Sequence, residues 1–167
     1  MQIRDILVPE RTQASLALAS KKRVLEHAAT LIEKSLAPAT VTSSDTPPPA
    51  TMTAVFDALL GRERLGSTAL GEGVAVPHCR LPGSDRTVGV LLQLTEGIDF
   101  DAPDGKPVDL LFVLVVPAEA TDEHLRMLAH LAGLFNEPAF REALRGARSS
   151  AELFDAAISL EQSTVKS

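Results

Sequence analysis

The spacing of apolar and polar residues predicts two helices in the N-terminal part of the chain. From Ser20 onward, apolar residues recur at helical spacing, and the Ser20 hydroxyl is available to cap the first turn. A shorter helix is predicted over residues 53–60 and is expected to end at Gly61, because glycine commonly terminates helices. Residues 37–50 contain four prolines and predict an exposed surface loop within one domain.

The middle of the chain has the pattern of buried strands. Glycines precede a short predicted strand at residues 74–76, and Pro77 is expected to end its pairing because proline has no amide hydrogen to donate. Residues 88–94 and 108–116 predict two further strands. The second is almost continuously apolar, as expected of a strand that is buried on both faces.

Helical spacing returns after Pro117, with Thr121 as the expected N-cap. The residues expected to face the core from this helix are Leu125, Leu128, Ala129, Ala132 and Phe135. Two more helices are predicted to follow, and Ser149 and Glu152 have the spacing of a capping box. Buried strands interleaved with amphipathic helices predict a layered α/β domain whose sheet is covered on both faces.

Composition narrows the class of function. A chain of 167 residues with 45% hydrophobic and 23% charged residues suits a single domain over residues 1–167. Its net charge of −6 and its lack of Trp and Tyr argue against nucleic acid as a partner. The longest apolar run, residues 110–116, is too short to span a membrane, and we find no secretion signal. We therefore expect a cytoplasmic protein without membrane insertion.

Four histidines are candidates for chemistry. His78 follows a strand and a proline, a rigid rim position that suits a nucleophile, although an ordinary loop histidine fits the position equally well. His124 lies in the first turn after Thr121, where free amides and the helix dipole favour an anion. A neutral His124 could steady a phosphoryl group on His78, whereas the simpler interpretation is a surface residue. His27 and His130 are expected to be structural.

A basic segment offers groups that bind phosphate. Arg62 and Arg64 precede Gly66, Ser67 and Thr68, and an arginine fork beside hydroxyls suits a transferring phosphoryl group. A solvated charge cluster is an equally good interpretation of the arginines. No loop ending in Gly-Lys-Ser/Thr is present for a nucleotide, so no cofactor is expected.

Two other chemistries are weaker. Cys79 neighbours His78, but adjacent strand residues point to opposite faces, which disfavours a thiol–imidazole pair and with it a thiol-dependent hydrolase. A metal site from His78, His124 and Asp101 lacks any recognised ligand spacing. No metal is therefore expected.

Residues 70–79, with the sequence Leu-Gly-Glu-Gly-Val-Ala-Val-Pro-His-Cys, resemble the phosphorylation motif of the mannitol/fructose-type IIA domains of the bacterial phosphotransferase system. Similarity to the nitrogen-regulatory branch of this family, EIIA-Ntr, extends over residues 20–23, 62–68, 88–94, 107–112 and 124–125. The resemblance thus covers nearly the whole chain. Two departures are Cys79, where many members have glycine, and the long proline-rich segment.

The resemblance implies a mannitol-type IIA fold with a mixed sheet and the function of a phosphocarrier. It implies that His78 accepts a phosphoryl group from a phosphohistidine on an HPr-like carrier protein (NPr), that His124 assists, and that Arg62 stabilises the phosphate, with Ser67 and Thr68 as further phosphate-binding candidates. The implied targets are regulatory, such as potassium transporters or sensor kinases. The alternative is a non-catalytic binding module that keeps the fold.

Overall fold

The computed structural model describes residues 2–36, 51–82, 84, 86–119 and 122–165. The predicted loop at residues 37–50 and the predicted cap Thr121 lie outside the described residues. The described helices are α1 (Ile3–Ile6), α2 (Lys21–Leu36), α3 (Met52–Leu65), α4 (Asp122–Phe135), α5 (Pro138–Gly146) and α6 (Ser150–Val165), with a 3₁₀ turn at Pro9–Arg11. The described strands are β1 (Thr12–Leu16), β2 (Ala69–Gly71), β3 (Val74–Ala75), β4 (His78–Leu81), β5 (Val88–Ile98) and β6 (Val108–Pro117).

The six described strands form one mixed sheet in the order β1-β5-β6-β3-β2, and β4 also pairs with β6. β5 and β6 are antiparallel, while β1 runs parallel to β5, and β3 and β4 run parallel to β6. This arrangement confirms the predicted α/β fold class.

The expectation that pairing ends at Pro77 is wrong. After an interruption of two residues, β4 resumes pairing with β6 at His78, which lies opposite Leu114. The carbonyl of Pro77 accepts a hydrogen bond from the Leu114 amide at 2.9 Å. Proline removes one donor but keeps its acceptor, so the ladder loses one bond and continues. His78 consequently lies inside the sheet register, as the first residue of a strand.

Helices cover both faces of the sheet. Side chains of β6 alternate between the two faces, so each face of this strand packs into a separate core. Leu111, Val113 and Val115 join the core beneath α2 and α3. Leu110, Phe112 and Leu114 join a second core with α1, α4, α5 and α6. Both faces of β6 are therefore buried, as its sequence predicts. Among the described residues, no helix is long and apolar enough to cross a membrane.

Both predicted serine caps are present. The Ser20 hydroxyl accepts a hydrogen bond from the Arg23 amide at 3.2 Å, and the Ser149 hydroxyl accepts one from the Glu152 amide at 3.1 Å. The Glu152 carboxylate accepts the Arg148 amide at 2.7 Å, one residue before the group that a capping box uses. Ser149 is a cap, and its reciprocal bond is displaced by one residue.

The predicted end of the second helix at Gly61 is wrong, because α3 continues to Leu65 and Gly66 is its C-cap residue. Glycine inside a helix costs only about 1 kcal/mol relative to alanine. The buried residues Val55, Leu59 and Glu63 recur every four positions and continue the same face past Gly61. Arg62 therefore lies in the last turn of a helix.

The predicted core face of α4 is also wrong in part. Phe135 is buried as predicted, but Leu125 is 63% exposed, and the core is formed by Met127, Leu131 and Leu134. Both sets of residues have helical spacing and differ by one position, which is about 100° of rotation. The apolar pattern of α4 is wide enough to satisfy either orientation. As a result, several small apolar side chains of α4 lie outside the core.

Candidate functional site

His78 is held at the start of β4 with one ring nitrogen engaged. Its Nδ1 lies 2.8 Å from the backbone carbonyl oxygen of Val76. A carbonyl only accepts hydrogen bonds, so in this contact Nδ1 carries the proton. The lone pair is then on Nε2, the nitrogen that can act as a nucleophile. The side chain is half-buried.

The structure brings His124 next to His78. His124 is the third residue of α4 and is 7% exposed. The two ring centroids are 5.5 Å apart and the ring planes are tilted by 53°. The buried Nδ1 of His124 has no hydrogen-bond partner in the described part of the chain. Two residues that are 46 positions apart in sequence, from 78 to 124, thus form one pair.

The surroundings of both histidines favour neutral rings. Burial lowers the pKa of His78, and the charge of Arg62 lowers it further, while the hydrogen bond to Val76 and the charge of Glu63 act in the opposite direction. Burial lowers the pKa of His124 too, helped by His78 and Arg80. Removing a charged ring from water costs more than removing a neutral one. At neutral pH, His78 is therefore expected to keep its nucleophilic lone pair.

Arg62 borders the histidine pair from the last turn of α3. It lines a crevice of about 380 Å³ together with His78 and His124. Its Nη1 donates to the carbonyl oxygen of Gly66 at 3.0 Å, which orients the guanidinium beside the crevice. Arg64 is exposed. Arg62 is thus the arginine of this segment that the fold places beside His78.

The hydroxyls of Ser67 and Thr68 already donate to protein groups. Ser67 Oγ donates to the carbonyl oxygen of Phe100 at 2.6 Å. The Thr68 hydroxyl donates to the carboxylate of Glu63. Both residues line a crevice of about 350 Å³ beside His78. Because each hydroxyl has a single hydrogen, a bond to phosphate requires it to leave its present acceptor. Their phosphate-binding role stays a prediction.

Sequence reasoning missed Arg80, which lines the crevice with His78 and His124. Arg80 lies two residues after His78 in β4, and residues i and i+2 of a strand share a face. This spacing was the available signal. Arg80 is exposed, so it supplies a second positive charge at the rim.

Sequence reasoning also missed an ion pair between a buried carboxylate and a partly buried lysine. Glu63 is 6% exposed, and its carboxylate lies 3.4 Å from Lys21 Nζ at the start of α2. Only the four-residue spacing from Leu59 placed Glu63 on the buried face of α3, and a charged residue is ordinarily expected outside.

His27 and His130 lie elsewhere, as predicted. His27 Nε2 contacts the side-chain oxygen of Gln13. His130 Nε2 lies 2.6 Å from the buried carboxylate of Glu161. Both contacts tie helices to neighbouring elements and involve neither His78 nor His124.

Cys79 lines the crevice beside His78 and His124 but is itself buried, and Asp101 does not line this crevice. Cys79 is 6% exposed, and burial raises the pKa of its thiol to about 12. The Asp101 carboxylate lies 3.2 Å from Lys21 Nζ. Among the described residues, no group of three or more His, Cys, Asp or Glu side chains could hold a metal ion.

Comparison with known proteins identifies the family of the chain. Residues 5–159 match the family model for the phosphoenolpyruvate-dependent sugar phosphotransferase system, EIIA 2. The chain is 38% identical to a nitrogen regulatory protein of Pseudomonas aeruginosa over 161 residues, covering 96% of this chain and 97% of that protein. It is 40% identical over 155 residues to a nitrogen regulatory protein of Escherichia coli K12, covering 92% and 88%.

Solved structures lead to the same family. The crystal structure of nitrogen regulatory protein IIA-Ntr from Neisseria meningitidis is similar with a TM-score of 0.82 and 39% identity, covering 93% of this chain and 98% of that chain. IIA mannitol from Escherichia coli shares the fold with a TM-score of 0.67 and 23% identity, covering 90% and 98%. The resemblance carried by residues 70–79 is confirmed. The chain belongs to the EIIA type-2 family of the phosphoenolpyruvate-dependent sugar phosphotransferase system and is similar to its nitrogen-regulatory members over nearly its whole length.

Proposed function

We propose that this chain is a regulatory phosphocarrier that accepts a phosphoryl group on Nε2 of His78 from a phosphohistidine of an HPr-like carrier, NPr. The observation that carries the proposal is the hydrogen bond of His78 Nδ1 to the Val76 carbonyl beside the ring of His124. It leaves one defined nitrogen free, next to a second ring and an arginine. This is the constellation that a phosphoryl acceptor needs.

The transfer is balanced without a further reactant. The Nε2 lone pair of His78 forms the new N–P bond while the N–P bond to the carrier's histidine breaks, and the bonding electrons leave with the carrier's imidazole. The His78 ring gains positive charge as the bond forms. The Val76 carbonyl, which already accepts a hydrogen bond from Nδ1–H of His78, stabilises that positive charge.

Positive groups at the rim would stabilise the transferring phosphoryl group. Arg62 and Arg80 line the crevice from α3 and β4. The transition state spreads negative charge over three oxygens, so fixed positive groups and donors stabilise it electrostatically. Neutral His124 avoids placing a second cation against the ring of His78 and can donate a hydrogen bond to a phosphoryl oxygen.

The surface around His78 supports a protein as the donor. Leu65 is 85% exposed, Leu125 63% and Leu70 46%. Leu65 and Leu70 line the two crevices beside His78, and Leu125 follows His124 in α4. Exposed large apolar side chains around a site are typical of protein docking surfaces. Phosphorylation adds about −1.5 to −2 charges to this surface, which changes the partners it favours. The regulated partners of the proposal are target proteins such as potassium transporters or sensor kinases.

Intact-protein mass measurement tests the proposal. The chain is incubated with phosphoenolpyruvate, enzyme I and an HPr-type carrier, and wild type is compared with His78→Ala. We expect an acid-labile phosphoryl adduct on wild type that is absent from His78→Ala. A control with His27→Ala, a histidine away from the site, should form the adduct normally. If a relay shown to be active gives no adduct on wild type, the proposal is wrong and the non-catalytic binding module remains.

A further inference from the structure

Glu63 places a buried negative charge directly behind the candidate site. Its carboxylate accepts the Thr68 hydroxyl, the Thr68 amide at 3.3 Å and the Lys21 ammonium at 3.4 Å. These three donors explain how the charge is tolerated in the interior. They do not explain why a charge is there, because a buried ion pair is often no more stabilising than apolar residues of similar volume.

One chain of hydrogen bonds runs from Glu63 to the nucleophile. Glu63 fixes Thr68 by accepting hydrogen bonds from the Thr68 amide and hydroxyl. The backbone carbonyl of Thr68 in turn accepts a hydrogen bond from the Val76 amide at 3.1 Å. The backbone carbonyl of Val76 then accepts a hydrogen bond from Nδ1–H of His78 at 2.8 Å. The position of the acceptor that selects the His78 tautomer therefore depends on a segment that Glu63 holds.

A second chain runs from Glu63 to the arginine. The bond at its start comes from the backbone: the main-chain carbonyl of residue 63 accepts a hydrogen bond from the Gly66 amide at 3.1 Å, whatever side chain stands at that position. The Gly66 carbonyl then accepts Arg62 Nη1 at 3.0 Å. The chain of bonds to His78 therefore depends on the Glu63 carboxylate, whereas the chain to Arg62 depends on the backbone of residue 63 and should survive a change of its side chain.

Lys21 holds the carboxylate from the other side. Its ammonium also lies 3.2 Å from the exposed Asp101 and 4.5 Å from the ring centroid of Phe100. Phe100 is fully buried, and its carbonyl accepts the Ser67 hydroxyl. Lys21 therefore has a fixed place, and the Glu63 carboxylate cannot turn away from Thr68 without losing its cation.

We propose that Glu63, held by Lys21, is the positioning residue of this site: its carboxylate fixes Thr68 and, through Thr68 and Val76, the tautomer of His78. The inference rests on the proposed function, because it concerns how His78 is prepared to accept the phosphoryl group. A merely structural clamp between α2 and α3 would change stability and leave the His78 tautomer unchanged in the folded protein.

The test combines a spectroscopic signature with a rate. Long-range ¹H–¹⁵N NMR of the unphosphorylated chain gives the His78 tautomer, and intact mass gives the rate of phosphoryl acceptance from the HPr-type carrier. Glu63→Gln keeps the size of the side chain and removes its charge. The matched control is Asp101→Asn, which removes the exposed partner of Lys21 and leaves Glu63 paired; Asn tolerates the positive φ of 55° at that position.

In wild type we expect the Nδ1–H tautomer of His78 to predominate. In Glu63→Gln we expect a mixture of tautomers and acceptance slowed about 10- to 100-fold, since small misplacements of reacting groups have effects of this size. Asp101→Asn should accept the phosphoryl group at a rate within about twofold of wild type, because an exposed ion pair contributes little. A folded Glu63→Gln with the wild-type tautomer and rate would overturn the inference.

Lys21→Met decides the question if Glu63→Gln does not fold. It keeps the Thr68 bonds to Glu63 and removes the cation, and we expect a smaller shift of tautomer and rate in the same direction. Lys21→Arg, which keeps the cation, should restore both. Wild-type values in Lys21→Met would contradict the positioning role. A wild-type chain that takes no phosphoryl group contradicts the proposed function instead, so the two failures are distinguishable.

Discussion

Cys79 should react very slowly with thiol reagents while the chain is folded. The side chain is 6% exposed and packs in the core beneath α2 and α3. Burial raises the pKa of the thiol from 9.0 to about 12. Because the thiolate is the reactive form, this change lowers the reactive fraction at pH 8 about a thousandfold, and steric protection slows the reaction further.

A disulfide reagent followed by absorbance at pH 8 measures this rate. The folded protein should react at least about a thousandfold more slowly than the same protein in guanidinium, in which the thiol is exposed. Cys79→Ala should accept a phosphoryl group at the wild-type rate, because the thiol takes no part in the proposed transfer. A folded protein that reacts as fast as the denatured one would refute the reasoning from burial. Loss of acceptance in a folded Cys79→Ala would revive a thiol mechanism.

Three further predictions concern the site and the core. His124→Ala should still form the adduct on His78 but about 100-fold more slowly, measured by intact mass, because it removes one stabilising group; an unchanged rate would exclude that role. In an NMR titration, both histidines should have midpoints below 6.5. The unfolded chain then binds more protons than the folded chain at acid pH, so the temperature of thermal unfolding should fall as the pH drops below 6.5. A titration midpoint above pH 6.5 for His78 and His124 would contradict this. Gly89→Ala should lower the free energy of unfolding by about 1–3 kcal/mol in chemical denaturation, because its Cβ would lie 2.9 Å from the Phe112 ring, whereas Gly61→Ala, with open space around it, should not destabilise.

Local chemistry was sufficient to predict the elements that depend on neighbouring residues. Ser20 and Ser149 were predicted as caps from residues within four positions of each, and β6 was predicted from its own apolar run. Gly61 shows the limit of such signals. Glycine permits a helix end without requiring one, and the buried face of α3 on both sides of Gly61 decided the outcome.

The sequence identified His78 and His124 as candidate site residues, but it did not show that the fold brings them together. His78 pairs with Leu114 of β6, and the chain leaves β6 at Pro117 only a few residues before α4 brings His124 back to the same edge. The pairing of β4 with β6 is a long-range event that no local pattern encodes. Glu63 is harder still to predict, because one of the three donors that stabilise its buried carboxylate is Lys21, which is 42 residues away.

The core face of α4 was predicted wrongly in part, and the physical reason for this bears on function. Four of the five residues of α4 that were predicted to face the core are partly or fully exposed, and three of them, Leu128, Ala129 and Ala132, line the crevice beside His78. A periodic apolar pattern reports where water is excluded, and a partner protein can exclude water as well as the core does. An α4 that needed to satisfy only its own core could carry polar residues at position 125, yet Leu125 stands there, 63% exposed, next to His124. The proposed docking of a carrier protein around His78 would account for the surplus of apolar positions on α4, and a rule that assigns every apolar stripe to the core would fail at such a surface.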